Sequence, residues 1–164
     1  MQRRLAEPSD LDDVHTIYMH PDVVRFLGHD PMPLDQFRPL YQQLLDSGGF
    51  YIYPVDGMVA GFYQASRRAG RAAHVGVLGT LALAPDYQGR GIARAMLGEA
   101  LRMLQADGAR RVELTVESDN PKAIAFYERL GFQREGTLRQ FYKRADDAAY
   151  VDDHIMGILL APPS

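Results

Sequence analysis

Apolar positions near the start of the chain follow a helical spacing in two separate segments. Leu11, Val14 and Ile17 mark one face of a first helix, which follows a short opening strand. The apolar positions from Leu34 to Leu45 mark a second helix, and Pro39 is expected to bend or delay it. The first third of the chain therefore predicts one strand and two helices.

The middle of the chain changes to runs that favour β-structure. Asp56 and Gly57, a dipeptide typical of a two-residue hairpin, separate two such runs in YPVDGMVAGFYQA. A third run, His74–Leu83, contains Gly76 and Gly79, which indicate a bulge or a close approach of backbones. These runs predict an antiparallel meander.

In the last part of the chain, segments with a helical spacing of apolar residues alternate with segments that favour β-strands. A helical face runs from Ile92 to Leu104, and the segments RRVELTVES and YVDDHIMGILL predict strands on either side of the helix NPKAIAFYERLGF. Helices that alternate with strands after a meander predict an α+β fold. This fold has three layers around a mixed, mostly antiparallel sheet, with a parallel pair where the chain crosses over.

Composition narrows the class of protein. The 164 residues suit a single domain over residues 1–164, with 46% hydrophobic and 24% charged residues. A net charge of −3 gives no reason to expect nucleic acid. The absence of cysteine excludes disulfides, thiolate metal sites and a cysteine nucleophile. With no apolar leader and no membrane-length apolar run, we expect a cytoplasmic protein without a membrane partner.

The segment YQGRGIARAML joins the third β-run to the following helix, and two interpretations of its glycines are open. Gly89 and Gly91 either permit a tight turn, or let the backbone amides at the helix start hold an anion. A nucleotide P-loop is excluded because Ile92 and Ala93 follow Gly91. A dinucleotide fingerprint is disfavoured because Arg94 stands where a third glycine is required.

The wider pattern favours the anion site. LALAPDYQGRGIARAMLGEAL resembles the acyl-CoA signature of the GNAT superfamily of N-acyltransferases, with Gln88, Gly91 and Ala93 at its fixed positions. Further along, NPKAIAFYERLGF resembles the second signature of that superfamily. The ending GFQREGTLRQFYKRADDAAYVDDHIMGIL is similar to bacterial members that acetylate small amines, including amino acids and polyamines, and to members that modify proteins.

The resemblance implies acetyl-CoA as co-substrate, no metal, and about six to seven strands flanked by about four helices. It also implies that the sheet splays between its fourth and fifth strands, where the pantetheine arm is expected to lie. The main chain of Leu81 and Leu83 would face that arm, while the side chains of both belong to the core. The residues expected to bind the cofactor are Leu81, Leu83, Gln88, Gly89, Arg90, Gly91, Ile92, Ala93 and Asn120.

The resemblance also implies catalytic roles. Tyr127 stands where the superfamily places a tyrosine that points at the sulfur, so we expect it to be the general acid; the alternative is a core tyrosine on an apolar helix face. Asn120 either contacts the pantetheine, the preferred interpretation, or caps the helix that follows it.

The general base is less well marked, because no carboxylate precedes the pantetheine segment on the fourth strand. Glu113 and Glu117 are four residues apart on the next strand, so their side chains lie on the same face of it. Both are candidates for a base that acts through water, and Glu113 is preferred. His74 titrates near neutrality but is expected to pack or to face solvent. A base is unnecessary if the amine arrives unprotonated.

The acceptor is expected to be a primary amine of a small molecule, an amino acid or an amino-acid-like compound. Tyr63, Tyr142 and Tyr150 are candidates to line its pocket. A polyamine and a protein amine are the alternatives, and a non-catalytic CoA-binding sensor is the alternative of another class. A homodimer is common among similar proteins. An acidic run near the end of the chain either attracts a polycation, which would favour a polyamine acceptor, or is a solvated turn. The run consists of Asp146, Asp147, Asp152 and Asp153.

Overall fold

A computed structural model describes residues 2–162 of the chain. The strands are β1 (Arg4–Leu5), β2 (Phe50–Val55), β3 (Met58–Arg67), β4 (Val75–Leu83), β5 (Arg111–Glu117), β6 (Gln133–Tyr142) and β7 (Val151–Leu159). The helices are α1 (Leu11–Tyr18), α2 (Pro21–Val24), α3 (Leu34–Asp46), α4 (Ile92–Ala106) and α5 (Pro121–Arg129). The predicted alternation of helices and strands is confirmed.

The strands form one mixed sheet in the order β1-β2-β3-β4-β5-β7-β6. The β4/β5 pair is parallel and joins Val75–Val77 to Arg111–Glu113. The β5/β7 and β6/β7 pairs are antiparallel, like the β1/β2 and β2/β3 pairs. The expected mostly antiparallel sheet with one parallel pair is confirmed, and the expected splaying of β4 from β5 stays a prediction.

Local signals explain where several elements begin and end. Asp56 and Gly57 have φ angles of 50° and 78°, the left-handed backbone that a tight hairpin needs. Pro39 lies inside α3, which begins at Leu34, so the expected delay of this helix is wrong. Proline removes one hydrogen bond from a helix interior, and the rest of α3 continues to Asp46.

Contacts divide the chain into two compact units. The first runs to Ser66 and includes Gly79–Ala100; the second comprises Arg67–Leu78 and the chain from Leu101 onward. The core of the first unit packs α1, α2 and α3 on one face of its strands, and aromatic rings make up much of it. Its largest buried rings include Tyr18, Phe37, Tyr41, Phe50 and Phe62.

The second unit has its own buried side chains on β5, β7 and α5. Gly76 permits a close approach there, because a Cβ atom at this position would lie 3.1 Å from Leu104 Cδ1 and 3.3 Å from Val112 Cγ2. These nearest atoms belong to side chains, and a Cβ atom at Gly79 would meet no atom of residues 2–162 within 4 Å, so the close approach of backbones expected from the glycine pair in β4 is not confirmed. Among residues 2–162, no helix combines the length and apolar character required to cross a membrane.

Candidate active site

The glycine-rich segment of the first unit forms an open loop at the start of α4. Gly89 and Gly91 have φ angles of 72° and 76°, and a Cβ atom built on either would meet no atom of residues 2–162 within 4 Å. The Arg90 guanidinium lies 5.4 Å from the centre of the Tyr87 ring. Because α4 begins at Ile92, its first amide groups point toward this loop and give it the positive end of the helix dipole.

The end of β4 leads into this loop. Thr80 has a φ angle of 45°, an uncommon backbone for a β-branched residue, and marks an irregularity within the strand. The side chain of Leu83 is buried, as expected of a core residue, while Leu81 is partly exposed. The Gln88 side-chain amide donates a hydrogen bond to the Leu83 carbonyl oxygen at 3.2 Å. The structure therefore joins two of the predicted cofactor-binding residues directly.

In the second unit, Asn120 sits at the junction of β5 and α5. Its side-chain oxygen accepts a hydrogen bond from the Ala123 amide at 3.3 Å, which makes Asn120 the cap of α5. Its side-chain nitrogen donates to Glu117 Oε2 at 3.4 Å. The helix cap, the less preferred of the two interpretations of Asn120, is thus the contact that the structure shows.

Glu117 lies at the end of β5 directly opposite Asp153 of β7. Opposite residues of an antiparallel pair share one face of the sheet, so the two carboxylates lie side by side. Asp153 is 5% exposed and accepts a hydrogen bond from Thr115. Its Oδ1 atom has no hydrogen-bond partner among residues 2–162. The pair therefore contains a buried carboxylate oxygen that is left unsatisfied.

Burial, and to a smaller extent the neighbouring charge of Asp153, raise the pKa of Glu117 to about 7 against the opposing effects of its hydrogen bonds and of Arg144. Burial also raises the pKa of Asp153. A carboxyl group with a pKa near neutrality can both accept and release a proton at physiological pH. Glu117 therefore has the acid–base property that a general base requires.

The ring of Tyr127 packs against two phenylalanine rings, and the charge of Glu117 acts on its phenol. Tyr127 is 9% exposed, and its ring centre lies 5.4 Å from that of Phe126 and 5.7 Å from that of Phe132. Burial raises the pKa of Tyr127, and the charge of Glu117 raises it further. The phenol is consequently protonated at neutral pH, as a general acid must be.

Arg144 lies between β6 and β7, and its charge acts on both Glu117 and Asp153. Its guanidinium donates to both oxygens of Asp119, at 2.7 and 3.1 Å, and to Asp147 at 3.0 Å. The Tyr142 hydroxyl accepts a further hydrogen bond from it at 2.7 Å. The positive charge of Arg144 is therefore already matched by two carboxylates.

Glu113 has a different environment from Glu117 on the same strand. Arg68 Nε donates to Glu113 Oε1 at 2.6 Å, and Arg111 Nη2 donates to Glu113 Oε2 at 2.8 Å. Burial alone would raise the pKa of Glu113, but these two guanidinium groups outweigh it and lower the pKa. Its ion pairs make Glu113 a weaker base than Glu117, contrary to the order of preference drawn from the sequence.

The remaining candidates have environments of their own. Tyr63 is fully buried and stacked on Tyr51, with ring centres 5.4 Å apart, and its place in the wall of the acceptor pocket stays a prediction. Tyr150 is exposed. His74 is exposed too, which agrees with the second of its two expected environments, a position facing solvent. Within residues 2–162, no cluster of His, Asp or Glu side chains has the arrangement of a metal site.

Comparison with known proteins identifies the family. Residues 11–132 match the acetyltransferase (GNAT) family. The chain belongs to this family. A relative, the N-alpha-acetyltransferase RimI of Mycobacterium tuberculosis, is 35% identical over 126 residues, which cover 76% of each protein. As a GNAT protein, the chain is an N-acetyltransferase, and the family uses acetyl-CoA as co-substrate.

Solved GNAT structures share the fold. A ribosomal-protein-alanine N-acetyltransferase from Brucella melitensis superposes with a TM-score of 0.78 at 21% identity, over 98% of this chain and 100% of that one. The spermidine N-acetyltransferase of Vibrio cholerae, solved with CoA and spermine, gives 0.81 at 23% identity, over 96% and 94%. At this level of identity, both comparisons establish the GNAT fold.

In the sequence, Asp153 stands out only as one of four residues in an acidic run, and no local signal marks Thr115 or Arg144. The run separates in the structure, since Asp153 is buried while Asp146 is exposed. The signal that distinguishes Asp153 is its register opposite Glu117, which depends on how β7 pairs with β5. That pairing is not visible in local spacing.

Proposed function

We propose that this GNAT protein transfers the acetyl group of acetyl-CoA to the primary amine of an amino acid or an amino-acid-like small molecule. The observation that carries the proposal is the environment of Glu117, a carboxyl group with a pKa of about 7 whose charge acts on the Tyr127 phenol. Acyl transfer to an amine needs both a group that removes a proton from nitrogen and a group that protonates the departing thiolate. Glu117 and Tyr127 supply one of each.

The loop at the start of α4 is the proposed binding site for the pyrophosphate of CoA. The backbone amides of Gly89, Gly91, Ile92 and Ala93 would hold it, with Gln88 and Arg90 at the edge of the loop. The fit is supported by the open space in front of both glycines and by the dipole of α4. The main chain of Leu81 and Leu83 is proposed to face the pantetheine arm, and Asn120 is proposed to contact it through the part of its side chain not used as a cap.

Glu117 is the proposed general base, in place of Glu113. A primary ammonium group has no lone pair for attack, so a proton must leave the nitrogen first. Glu117 can take that proton because burial keeps its pKa near neutrality. Glu113 is held by Arg68 and Arg111, and its ion pairs suit a role in stabilising the second unit.

Tyr127 is the proposed general acid. Acetyl-CoA supplies the acyl group as a thioester, and the sulfur leaves as a thiolate that must be protonated. A phenol is protonated at neutral pH even at its ordinary pKa of about 10, and burial and the charge of Glu117 raise the pKa of Tyr127 further. The phenol is therefore in its proton-donating form, and it would protonate the thiolate as the carbon–sulfur bond breaks.

One observation favours a second acceptor class. The Mycobacterium tuberculosis relative is named an N-alpha-acetyltransferase, which supports an α-amine as the acceptor group. Both a small amino-acid-like amine and the N-terminal amine of a peptide carry such a group. The peptide amine is therefore the second candidate.

Acceptor identity is tested by release of the CoA thiol from acetyl-CoA over a panel of amino acids, amino-acid amides, polyamines and short peptides. Saturable turnover with α-amines of small molecules would support the proposal. Turnover confined to peptides would instead identify the N-terminal amine of a peptide, the second candidate, as the acceptor. Tight CoA binding without turnover on any amine would contradict it and favour a non-catalytic CoA-binding sensor.

Replacing Gly91 with alanine is expected to weaken CoA binding by about tenfold or more. The new Cβ atom would enter the open space in front of the loop, and alanine disfavours the φ angle of 76° by about 1 kcal/mol. Gly57→Ala is the matched control, since Gly57 has a φ angle of 78° and equally open surroundings in the β2–β3 hairpin. Calorimetric titration with CoA would compare them; equal affinities for the two variants would remove the loop from the binding site.

Two further expectations concern the assembly and location of the protein. The homodimer, common among similar proteins, stays a prediction that sedimentation of the purified chain can test. The cytoplasmic location likewise stays a prediction.

A further inference from the structure

The carboxylate pair of Glu117 and Asp153 has a feature that the general-base role of Glu117 does not explain. Like charges opposite each other on neighbouring strands repel, and this pair stands in the structure with Asp153 95% buried. Asp153 Oδ1 has no hydrogen-bond partner among residues 2–162. Buried carboxylate oxygens are normally satisfied, so an unsatisfied one beside a second carboxylate indicates a place for a positively charged hydrogen-bond donor.

The other charges around the pair do not supply that donor. Arg144 is the guanidinium whose charge acts on both Glu117 and Asp153, and it donates hydrogen bonds to Asp119, Asp147 and the Tyr142 hydroxyl. The His154 imidazole also acts on Asp153, and its Nδ1 atom is hydrogen-bonded to the Thr137 hydroxyl at 2.9 Å. Against this guanidinium and this imidazole stand the four carboxylates of Glu117, Asp153, Asp119 and Asp147. The surroundings of the pair are therefore negative, which favours a cationic ligand and repels an anionic one.

We infer that Glu117 and Asp153 together bind the protonated amine of the acceptor, and that the acceptor carries no free carboxylate next to that amine. This inference rests on the proposed function and narrows its acceptor to amino-acid-like amines with a blocked carboxyl group, such as amino-acid amides. A free amino acid would bring its own carboxylate into a region where Arg144 is already matched by Asp119 and Asp147.

The proton balance of the transfer follows from this arrangement. The ammonium group donates hydrogen bonds to both carboxylates, and one of its protons passes to Glu117 and then to water. The nitrogen forms its bond to the acyl carbon while the carbon–sulfur bond breaks, and Tyr127 protonates the sulfur. The second proton that leaves the nitrogen returns to the Tyr127 phenolate. Asp153 takes no proton from the nitrogen in this sequence and orients the amine through its hydrogen bond.

The test compares a free amino acid with its own amide as acceptors. For the unaltered protein, kcat/KM for L-phenylalaninamide is expected to exceed that for L-phenylalanine by about thirtyfold or more. In Asp153→Asn, this ratio is expected to fall by about tenfold, because the repulsion of the acceptor carboxylate is reduced. The difference in intrinsic reactivity of the two amines is the same for both proteins and cancels in this comparison.

Asp146→Asn is the matched control, since it removes an exposed carboxylate from the same acidic run and should leave the ratio unchanged. CoA titration of each variant verifies that it is folded. Equal use of acid and amide by the unaltered protein, or an unchanged ratio in Asp153→Asn, would overturn the inference while leaving the acetyltransferase proposal in place. Acetylation of neither acceptor, nor of any other amine in the panel, would overturn the proposed function and the inference with it.

Discussion

Tyr127→Phe is expected to lower kcat by about 10²- to 10⁴-fold, the range typical of a lost general acid. The ring of Tyr127 packs against Phe126 and Phe132, and phenylalanine preserves that packing. Only the hydroxyl group is lost, so CoA affinity and stability should change little. Steady-state thiol release gives kcat, and calorimetry gives the CoA dissociation constant.

The rate of the Tyr127→Phe protein with different thioesters separates catalysis from structure. A general acid matters most for a poor leaving group, so an acetyl thioester of a more acidic thiol should recover part of the lost rate. An unchanged kcat with acetyl-CoA would remove Tyr127 from the mechanism. A parallel loss of CoA affinity and kcat would assign it to binding instead.

Glu117→Gln is expected to lower kcat/KM by about 10²- to 10³-fold and to remove its dependence on pH. In the unaltered protein, kcat/KM should rise about tenfold per pH unit below a pKa of about 7 and level off above it, because only the ionised carboxylate accepts a proton. The charged and titratable groups that act on Glu117 are Asp153, Arg144, Tyr127 and Tyr142, and all four are unchanged in the variant.

The same substitution should stabilise the protein at high pH. The pKa of Glu117 is raised on folding from 4.5 to about 7, so its contribution to stability is present below pH 4.5 and is lost as the pH rises through 7. Glutamine carries no buried charge, so Glu117→Gln should increase the free energy of unfolding at pH 8 by about 1–3 kcal/mol, with little change at pH 4.5. Urea unfolding at the two pH values measures this difference.

Glu113→Gln is the matched control on the same strand. It should leave the pH profile of activity in place and lower stability, because it removes the carboxylate that Arg68 and Arg111 share and leaves Arg111 with Glu135. If Glu113→Gln flattened the pH profile and Glu117→Gln preserved it, the base would be Glu113, as the sequence first suggested.

The comparison of Glu113 with Glu117 shows what the sequence could not resolve. The two glutamates have the same parity on β5, so a period-two pattern treats them alike. They differ in burial and in partners, since Arg68 and Arg111 hold Glu113 while Asn120 and Asp153 lie beside Glu117. Arg111 shares a strand face with Glu113 and is visible in the local spacing, but Arg68 and Asp153 are brought to their positions by the tertiary fold, which local spacing does not encode.

The fold was predictable where the signals were local. The hairpin at Asp56 and Gly57 and the start of α4 after Gly91 follow from backbone conformations that few residues adopt. Strand β6 had no such signal, because most of its residues are exposed and no apolar alternation marks it. The cap role of Asn120 was foreseen as the alternative, since capping and ligand binding favour the same residue type.

The most direct test of the central claim is the stoichiometry of the reaction with acetyl-CoA labelled in its acetyl group. The purified protein is incubated with the labelled thioester and L-phenylalaninamide, and free thiol and N-acetylated product are quantified together. The account predicts one labelled amide per thiol released, with both falling at least about a hundredfold in Tyr127→Phe and in Glu117→Gln. Thiol release without amide, or amide formation that neither substitution reduces, would contradict it.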